Sequence, residues 1–97
     1  MPEGNEEALG GYPMRLTDEF IDGLARVWSP RIRDHIRGLI ALLPTNPQLG
    51  SPRVRRSLKE RYGDNLRKLT VSTFVIIYRF DGEFIDILAL VYGPNIS

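Results

Sequence analysis

Three short runs of β-branched and aromatic residues near the end of the chain constrain its fold most strongly. Each has the length and composition of a β-strand, and together they cover residues 66–71, 74–80 and 85–92. Ser72 and Thr73 form a tight connection between the first two runs, and Asp81-Gly82 is a two-residue hairpin signal between the second and third. The pattern therefore predicts a three-stranded antiparallel meander.

Two stretches upstream of these runs show the apolar spacing of amphipathic helices. Thr17 is a favourable N-cap, and apolar residues recur at helical spacing from residue 20 to residue 28. Ser29 and Pro30 restart the pattern, which ends at Pro44. Because almost no linker separates the two helices, we expect them to fold back on each other as a helical hairpin.

The remaining segments complete a single domain over residues 12–97. Residues 12–16 are short and predict an edge strand, whereas residues 1–11 are polar and glycine-rich and predict a disordered lead-in. A narrow apolar stripe before Gly63 predicts a helical turn. Met14 is an alternative translation start to Met1. The order of strand, two helices and three strands indicates an α+β fold with helices on an antiparallel sheet.

Composition excludes several classes of site. The chain has no Cys and one His, which excludes disulfides, thiolate metal sites and multi-histidine sites. We therefore expect no metal and no small-molecule cofactor. No apolar run approaches the roughly 20 residues that a membrane span needs. The acidic N-terminus is unlike a signal peptide, so we expect a cytoplasmic protein with no membrane partner.

Charge is strongly segregated along the chain, although the net charge is only +1. Residues 52–68 carry seven bases and two acids. Within this block we predict a nucleic-acid-binding set that consists of Arg53, Arg55, Arg56, Lys59 and Arg61. The alternative is a solvated helix face with no partner.

Four residues in and after the basic block are candidates for catalysis, namely Arg67, Lys68, Arg79 and Tyr92. Arginine binds two phosphate oxygens at once, and several cations around one phosphodiester would hold RNA and stabilise charge during cleavage. Arg67 and Arg79 would share one face of the sheet in one of the two possible registers. Tyr92 ends its strand and could stack a base or assist proton transfer, whereas core packing is favoured for Tyr78. The single His, His35, is expected to be partly buried and structural.

An ordered set of segments resembles the RelE/ParE superfamily of toxins from type II toxin–antitoxin systems. The likeness covers most of residues 12–93, and its segments read RLTDEF, LIALLPTNP, YGDNLRKL, TFVIIYRFDG and IDILALVYG. The resemblance implies a strand, a helical hairpin and a three-stranded sheet with a basic concave face. It also implies a cognate antitoxin, and either of two activities. RelE-like members cut mRNA in the ribosomal decoding site, and ParE-like members poison DNA gyrase.

The ribonuclease branch of the superfamily uses scattered Lys and Arg residues plus a terminal Tyr or His. Val75 stands where that branch has an Arg, and Pro94 and Asn95 stand where it has a basic residue. Arg67 and Lys68 fall near the basic strand of the family. The leading prediction is a RelE-like toxin that cleaves mRNA on the ribosome with a non-standard set of site residues. The alternatives are a ParE-like inhibitor of DNA gyrase without catalytic activity, and a catalytically decayed domain that still binds its antitoxin.

Overall fold

The computed structural model describes residues 11–93, in which helices and strands follow the predicted order. The elements are β1 (Met14–Leu16), α1 (Asp18–Ala25), α2 (Pro30–Leu42), α3 (Arg56–Tyr62), β2 (Leu66–Val71), β3 (Phe74–Phe80) and β4 (Ile85–Tyr92). The α+β prediction is confirmed, and α3 occupies the position of the predicted helical turn. Apart from Gly11, the predicted lead-in of residues 1–11 lies outside the described residues, as do Pro94 and Asn95.

The four strands form one sheet in the order β1-β4-β3-β2. β2, β3 and β4 pair antiparallel as the predicted meander, and β1 adds to β4 in parallel, with Met14 opposite Ile85. Ala89 pairs with Ile77 and Ile87 pairs with Tyr78, so β4 contains one additional residue, Leu88, at a bulge. The N-terminal strand therefore closes one edge of the sheet by contacting the last strand.

Side chains alternate between two covered faces of this sheet. α1 and α2 cover one face, whose core includes Phe20, Ile36, Ile40, Leu43, Ile76, Tyr78 and Ile87. The segment 54–62 covers the other face, which we call the α3 face, and its core includes Val54, Leu58, Leu66, Ile77, Leu88 and Ala89. A sheet covered on both sides explains why the central strand is apolar in both side-chain directions.

The two helices of the first layer begin at the predicted caps. The Thr17 hydroxyl accepts a 3.1 Å hydrogen bond from the Phe20 amide, and it lies 2.9 Å from the carbonyl oxygens of Ile87 and Leu88. The cap of α1 is thus also tied to β4. Ser29 caps α2 in the same way through the Ile32 amide. Among the described residues, no helix has the length and apolar character needed to span a membrane.

The connection between β3 and β4 is longer than the predicted two-residue hairpin. Phe80 pairs with Ile85, which leaves residues 81–84 in the loop. The Asp81 carboxylate accepts 2.9 Å hydrogen bonds from the amides of Glu83 and Phe84, and Gly82 has a φ of 96°. The two-residue prediction was wrong because the side chain of Asp81 organises a wider turn.

A loop over residues 44–52 closes the β2 edge of the sheet. Ser51 and Lys68 exchange two backbone hydrogen bonds of 2.9 Å. The fully buried Tyr78 hydroxyl accepts a 2.8 Å bond from the Gly50 amide and donates a 2.7 Å bond to the Pro47 carbonyl. A Cβ on Gly50 would lie 2.7 Å from the Lys68 carbonyl oxygen, so only glycine fits there. The predicted core position of Tyr78 is confirmed.

Candidate functional site

Arg79 belongs to a network of charges that joins three neighbouring strands. The strand pairing places Asp86 opposite both Arg79 and Arg15. The Asp86 carboxylate is 2.7 Å from Nε of Arg15 and 3.1 Å from Nη2 of Arg79. The hydrogen bond from Arg15 lowers the pKa of Asp86, Arg79 adds to this effect, and burial partly opposes it. Arg79 also donates to the Tyr62 carbonyl at 3.2 Å. Its guanidinium is therefore engaged in holding strands and α3 together.

Arg67 lies on the opposite face of the sheet from Arg79. Arg67 pairs with Tyr78 and Arg79 pairs with Leu66, and adjacent residues of a strand point to opposite sides. The register therefore excludes a shared face for the two arginines. The Arg67 guanidinium donates to the carbonyl oxygens of Gly50 at 2.6 Å and Gln48 at 3.3 Å. This arginine contacts the loop that closes the β2 edge.

Lys68 lies in a small depression on the α3 face, which we call the cationic hollow. Its volume is about 170 Å³, and it is lined by Arg55, Leu58, Lys68, Val75 and Gly93. Arg55 and Lys68 supply two cations, while Val75 lies where the resemblance implies an arginine. Of the four predicted catalytic residues, Lys68 alone lines this hollow.

Tyr92 lies in a separate and larger cavity of about 480 Å³, which we call the α1–α3 groove. It is lined by Arg26, which follows α1, by Arg61 of α3, and by Phe74 and Tyr92. The Tyr92 side chain is 46% exposed, and its ring centroid is 5.7 Å from that of Phe74. The groove and the hollow share Leu58, but their other lining residues differ. The four predicted catalytic residues thus occupy four different surroundings.

The predicted nucleic-acid-binding residues are all exposed on and before α3, namely Arg53, Arg55, Arg56, Lys59 and Arg61. Arg61 is bound to Glu19 of α1 at 3.1 Å. The exposure of these cations is compatible with an anionic partner, and their role stays a prediction. His35 is exposed on α2, so the expectation that it is partly buried was wrong. In the range 11–93, no group of three or more acidic or histidine side chains could hold a metal ion.

Two acidic residues have roles that sequence reasoning missed. Asp86 is 7% exposed and forms ion pairs with Arg15 and Arg79. This role could be predicted only from the pairing of Asp86 with Arg79, and that pairing depends on the strand register. Glu19 lies in the first turn of α1. In the structure, its carboxylate accepts 3.1 Å and 2.7 Å hydrogen bonds from Arg61 and from the Tyr62 hydroxyl.

The pKa of Tyr62, which lines the groove, is shifted far from its ordinary value. Burial, and then the hydrogen bond to Glu19, raise the pKa of Tyr62 to about 12. The phenol therefore keeps its proton at neutral pH and acts as a hydrogen-bond donor. It helps to hold α3 against α1, because α3 has no buried residue of its own.

Solved structures of toxin–antitoxin complexes contain chains with a similar fold. One is the RelBE2 complex of Mycobacterium tuberculosis, with a TM-score of 0.65, 22% identity, and coverage of 84% of this chain and 98% of the other. The chromosomal ParDE system of P. aeruginosa gives 0.61 and 18%, with 84% and 95% covered. The intact E. coli RelBE complex gives 0.58 and 9%, with 82% and 94% covered. At these identities the likeness concerns the fold.

Sequence comparison identifies the family. No curated protein matches the sequence significantly. A family model, described as the ParE toxin of the type II toxin–antitoxin system parDE, matches residues 14–93 and so spans β1 to the end of β4. This chain belongs to the ParE toxin family of type II toxin–antitoxin systems.

Proposed function

We propose that this toxin acts by binding DNA gyrase, without catalysis, and that a cognate antitoxin holds it inactive. The geometry favours this alternative over the leading prediction of mRNA cleavage. The observation that carries the proposal is the dispersal of the four predicted catalytic residues. Arg67 contacts the loop at the β2 edge, and Arg79 is bound to Asp86. Tyr92 lines the groove, whereas Lys68 lines the hollow.

Cleavage of RNA requires several groups to converge on one phosphodiester. A base must take the proton of the 2′-hydroxyl, and donors must stabilise the charge that develops on phosphate oxygens. Among the described residues, the cationic hollow brings together Arg55 and Lys68 with the apolar side chains of Leu58 and Val75. The hollow can bind an anion, but its described lining includes no carboxylate, imidazole or hydroxyl group.

The surface around the hollow suits electrostatic binding. Arg53, Arg56 and Lys59 are exposed beside Arg55, and Glu60 is the one acidic residue within α3. A concentrated positive field on a nearly neutral chain accelerates association with an acidic partner and orients it. We call the exposed cations Arg53, Arg55, Arg56 and Lys59 the α3 surface. We assign gyrase contact to this surface.

The antitoxin part of the proposal rests on the family and on the neighbouring structures. The RelBE2, ParDE and RelBE structures are described as toxin–antitoxin complexes or systems. By analogy, we propose that this chain forms an inactive complex with an antitoxin. In this complex the antitoxin covers the α3 surface.

The direct test is inhibition of DNA gyrase by the purified toxin. We expect the wild-type chain to block the conversion of relaxed plasmid into supercoiled plasmid. A Lys68→Ala/Arg55→Ala variant should need at least tenfold more protein for the same effect. Arg37→Ala is the matched control, because it removes a charge from α2, where Arg37 contacts Asp34. Unimpaired supercoiling at saturating wild-type toxin would contradict the proposal.

Cleavage of mRNA is the second candidate, because Arg55 and Lys68 do form a paired cationic site. Primer extension on mRNA from growth-arrested cells distinguishes the two activities. Intact transcripts together with an induced DNA-damage response support gyrase as the target. Cuts at a fixed codon position would instead establish ribosome-dependent cleavage. A wild-type chain that does not stop growth would indicate a decayed domain that only binds its antitoxin.

A further inference from the structure

The α1–α3 groove contains a carboxylate of the chain itself beside a cation. Glu19 of α1 accepts hydrogen bonds from Arg61 and from the Tyr62 hydroxyl of α3. This arrangement is the one that an acidic side chain of another protein would form with Arg61 and Tyr62. The groove therefore shows how its cationic wall binds a carboxylate.

The contact between Glu19 and Arg61 is exchangeable. Their side chains are 48% and 65% exposed, respectively. Exposed ion pairs contribute little net free energy, about 0–1 kcal/mol, because water solvates the separated charges well. An incoming carboxylate can thus replace Glu19 at a small cost, provided that it also accepts the hydrogen bond of the Tyr62 hydroxyl and that the ligand gains contacts elsewhere in the groove.

The rest of the groove provides such contacts. Phe74 and Tyr92 provide aromatic surface, and Arg26, the residue that follows α1, adds a second cation. The volume of about 480 Å³ lies within the range of small ligand sites, roughly 300–1,000 Å³. The groove thus fits a segment in which an apolar side chain adjoins an acidic one.

We propose that the antitoxin inserts such an acidic and apolar segment into the α1–α3 groove, where its carboxylate replaces Glu19 on Arg61. This inference rests on the antitoxin part of the proposed function and is independent of the gyrase part. Charge complementarity favours this occupant, since two arginines face one carboxylate of the chain in the groove. The position also fits, because the groove adjoins the cationic hollow at Leu58, which lines both.

Glu19 then acts as an internal competitor that lowers the affinity for the antitoxin. The full-length toxin is titrated by calorimetry with the purified protein encoded by the reading frame next to its gene. We expect Glu19→Gln to tighten the complex by roughly two- to fivefold, as expected for an exposed ion pair. Arg61→Ala should weaken it by at least tenfold, and Arg37→Ala should leave it unchanged.

A double variant distinguishes competition by Glu19 for Arg61 from a general effect of the change in net charge. In Glu19→Gln/Arg61→Ala, the gain from Glu19→Gln should disappear, since the two residues act through one contact. A Glu19→Gln variant with unchanged or weaker binding would overturn the inference, as would a gain that persists without Arg61. If the neighbouring protein does not bind the wild-type toxin, the antitoxin part of the proposed function fails with it. Gyrase inhibition is measured in the absence of antitoxin. A failure of the gyrase part of the proposed function is therefore detected independently of antitoxin binding.

Discussion

The carboxylate of Asp86 lies 3.1 Å from the guanidinium of Arg79, its direct partner across β3 and β4. Arg15 of β1 binds the same carboxylate from the other side at 2.7 Å. One buried acid therefore joins three adjacent strands at the end of the sheet where the N-terminal strand is added. Because its guanidinium is bonded to Asp86, Arg79 has no role in the proposed function.

Replacing this acid should destabilise the fold. We expect Asp86→Asn to lower the free energy of unfolding by about 1–3 kcal/mol, because two arginines lose a charged acceptor. Urea denaturation followed by circular dichroism measures the change. Asp34→Asn is the matched control, since Asp34 forms an exposed pair with Arg37 and its loss should cost under about 0.5 kcal/mol. Equal effects of the two substitutions would contradict the structural role of Asp86.

The same carboxylate should contribute to acid unfolding. Its pKa in the folded state is lowered, chiefly by the hydrogen bond from Arg15. The folded state therefore binds fewer protons than the unfolded state, in which an Asp has a pKa of about 3.9. The stabilisation is present above that pH and is lost as the pH falls through the folded pKa. We expect the stability difference between wild type and Asp86→Asn to shrink as the pH falls below about 4. A difference that does not depend on pH would show that the charge of Asp86 is not responsible.

The hydroxyl of Tyr78 should be important for the loop at the β2 edge. Tyr78→Phe removes the partner of both the Gly50 amide and the Pro47 carbonyl. We expect a loss of about 1–3 kcal/mol in unfolding free energy and faster hydrogen exchange at the Gly50 amide. Tyr12→Phe serves as the control, because its ring contacts Phe80 near the surface. Unchanged exchange at Gly50 would contradict the hydrogen bond.

Substitutions of two neighbouring cations on β2 should have different effects, one on stability and the other on function. Arg67→Ala removes bonds to the Gly50 and Gln48 carbonyls and should lower the melting temperature by a few degrees. Lys68→Ala should leave the melting temperature nearly unchanged but weaken growth arrest, because Lys68 lines the cationic hollow. Expression toxicity and thermal unfolding are measured for both variants. The reverse pattern would move the functional surface to the other face of the sheet.

The high pKa of Tyr62 provides a test of the contact between α1 and α3. Ultraviolet titration should show that Tyr62 ionises near pH 12, as the part of the high-pH absorbance change that Tyr62→Phe removes. Glu19→Gln should lower the pKa of Tyr62, because burial would then act without the help of a nearby carboxylate. Since the folded pKa lies above the unfolded value of about 10, the stabilisation from this group holds below that value and is lost as the pH rises through 12. An unchanged titration in Glu19→Gln would contradict the hydrogen bond.

The sequence predicted the framework well because its signals are local. Thr17 and Ser29 specify helix starts through their own backbone neighbours, and the apolar runs specify strands. The turn after Phe80 was harder, because the side-chain bonds of Asp81 override the two-residue pattern.

The site was less predictable because it depends on register and on contacts between distant elements. Alternation alone could not decide whether Arg67 and Arg79 share a face. The bond between Glu19 and Tyr62 joins residues 43 positions apart, and neither residue carries a local signal for it. Composition correctly marked α3 as exposed and basic, but it could not divide its residues between a hollow and a groove.

The pairing of β1 with β4 also has a consequence for biosynthesis. Arg15 and Asp86 are 71 positions apart, so the sheet cannot be completed until nearly the whole domain has been translated. At about 5–20 residues per second, this interval lasts roughly 4–14 s. Nascent chains that end before β4 lack Tyr92 of the groove and the pairing of β3 with β4. The folded domain therefore forms only after the last strand has emerged from the ribosome.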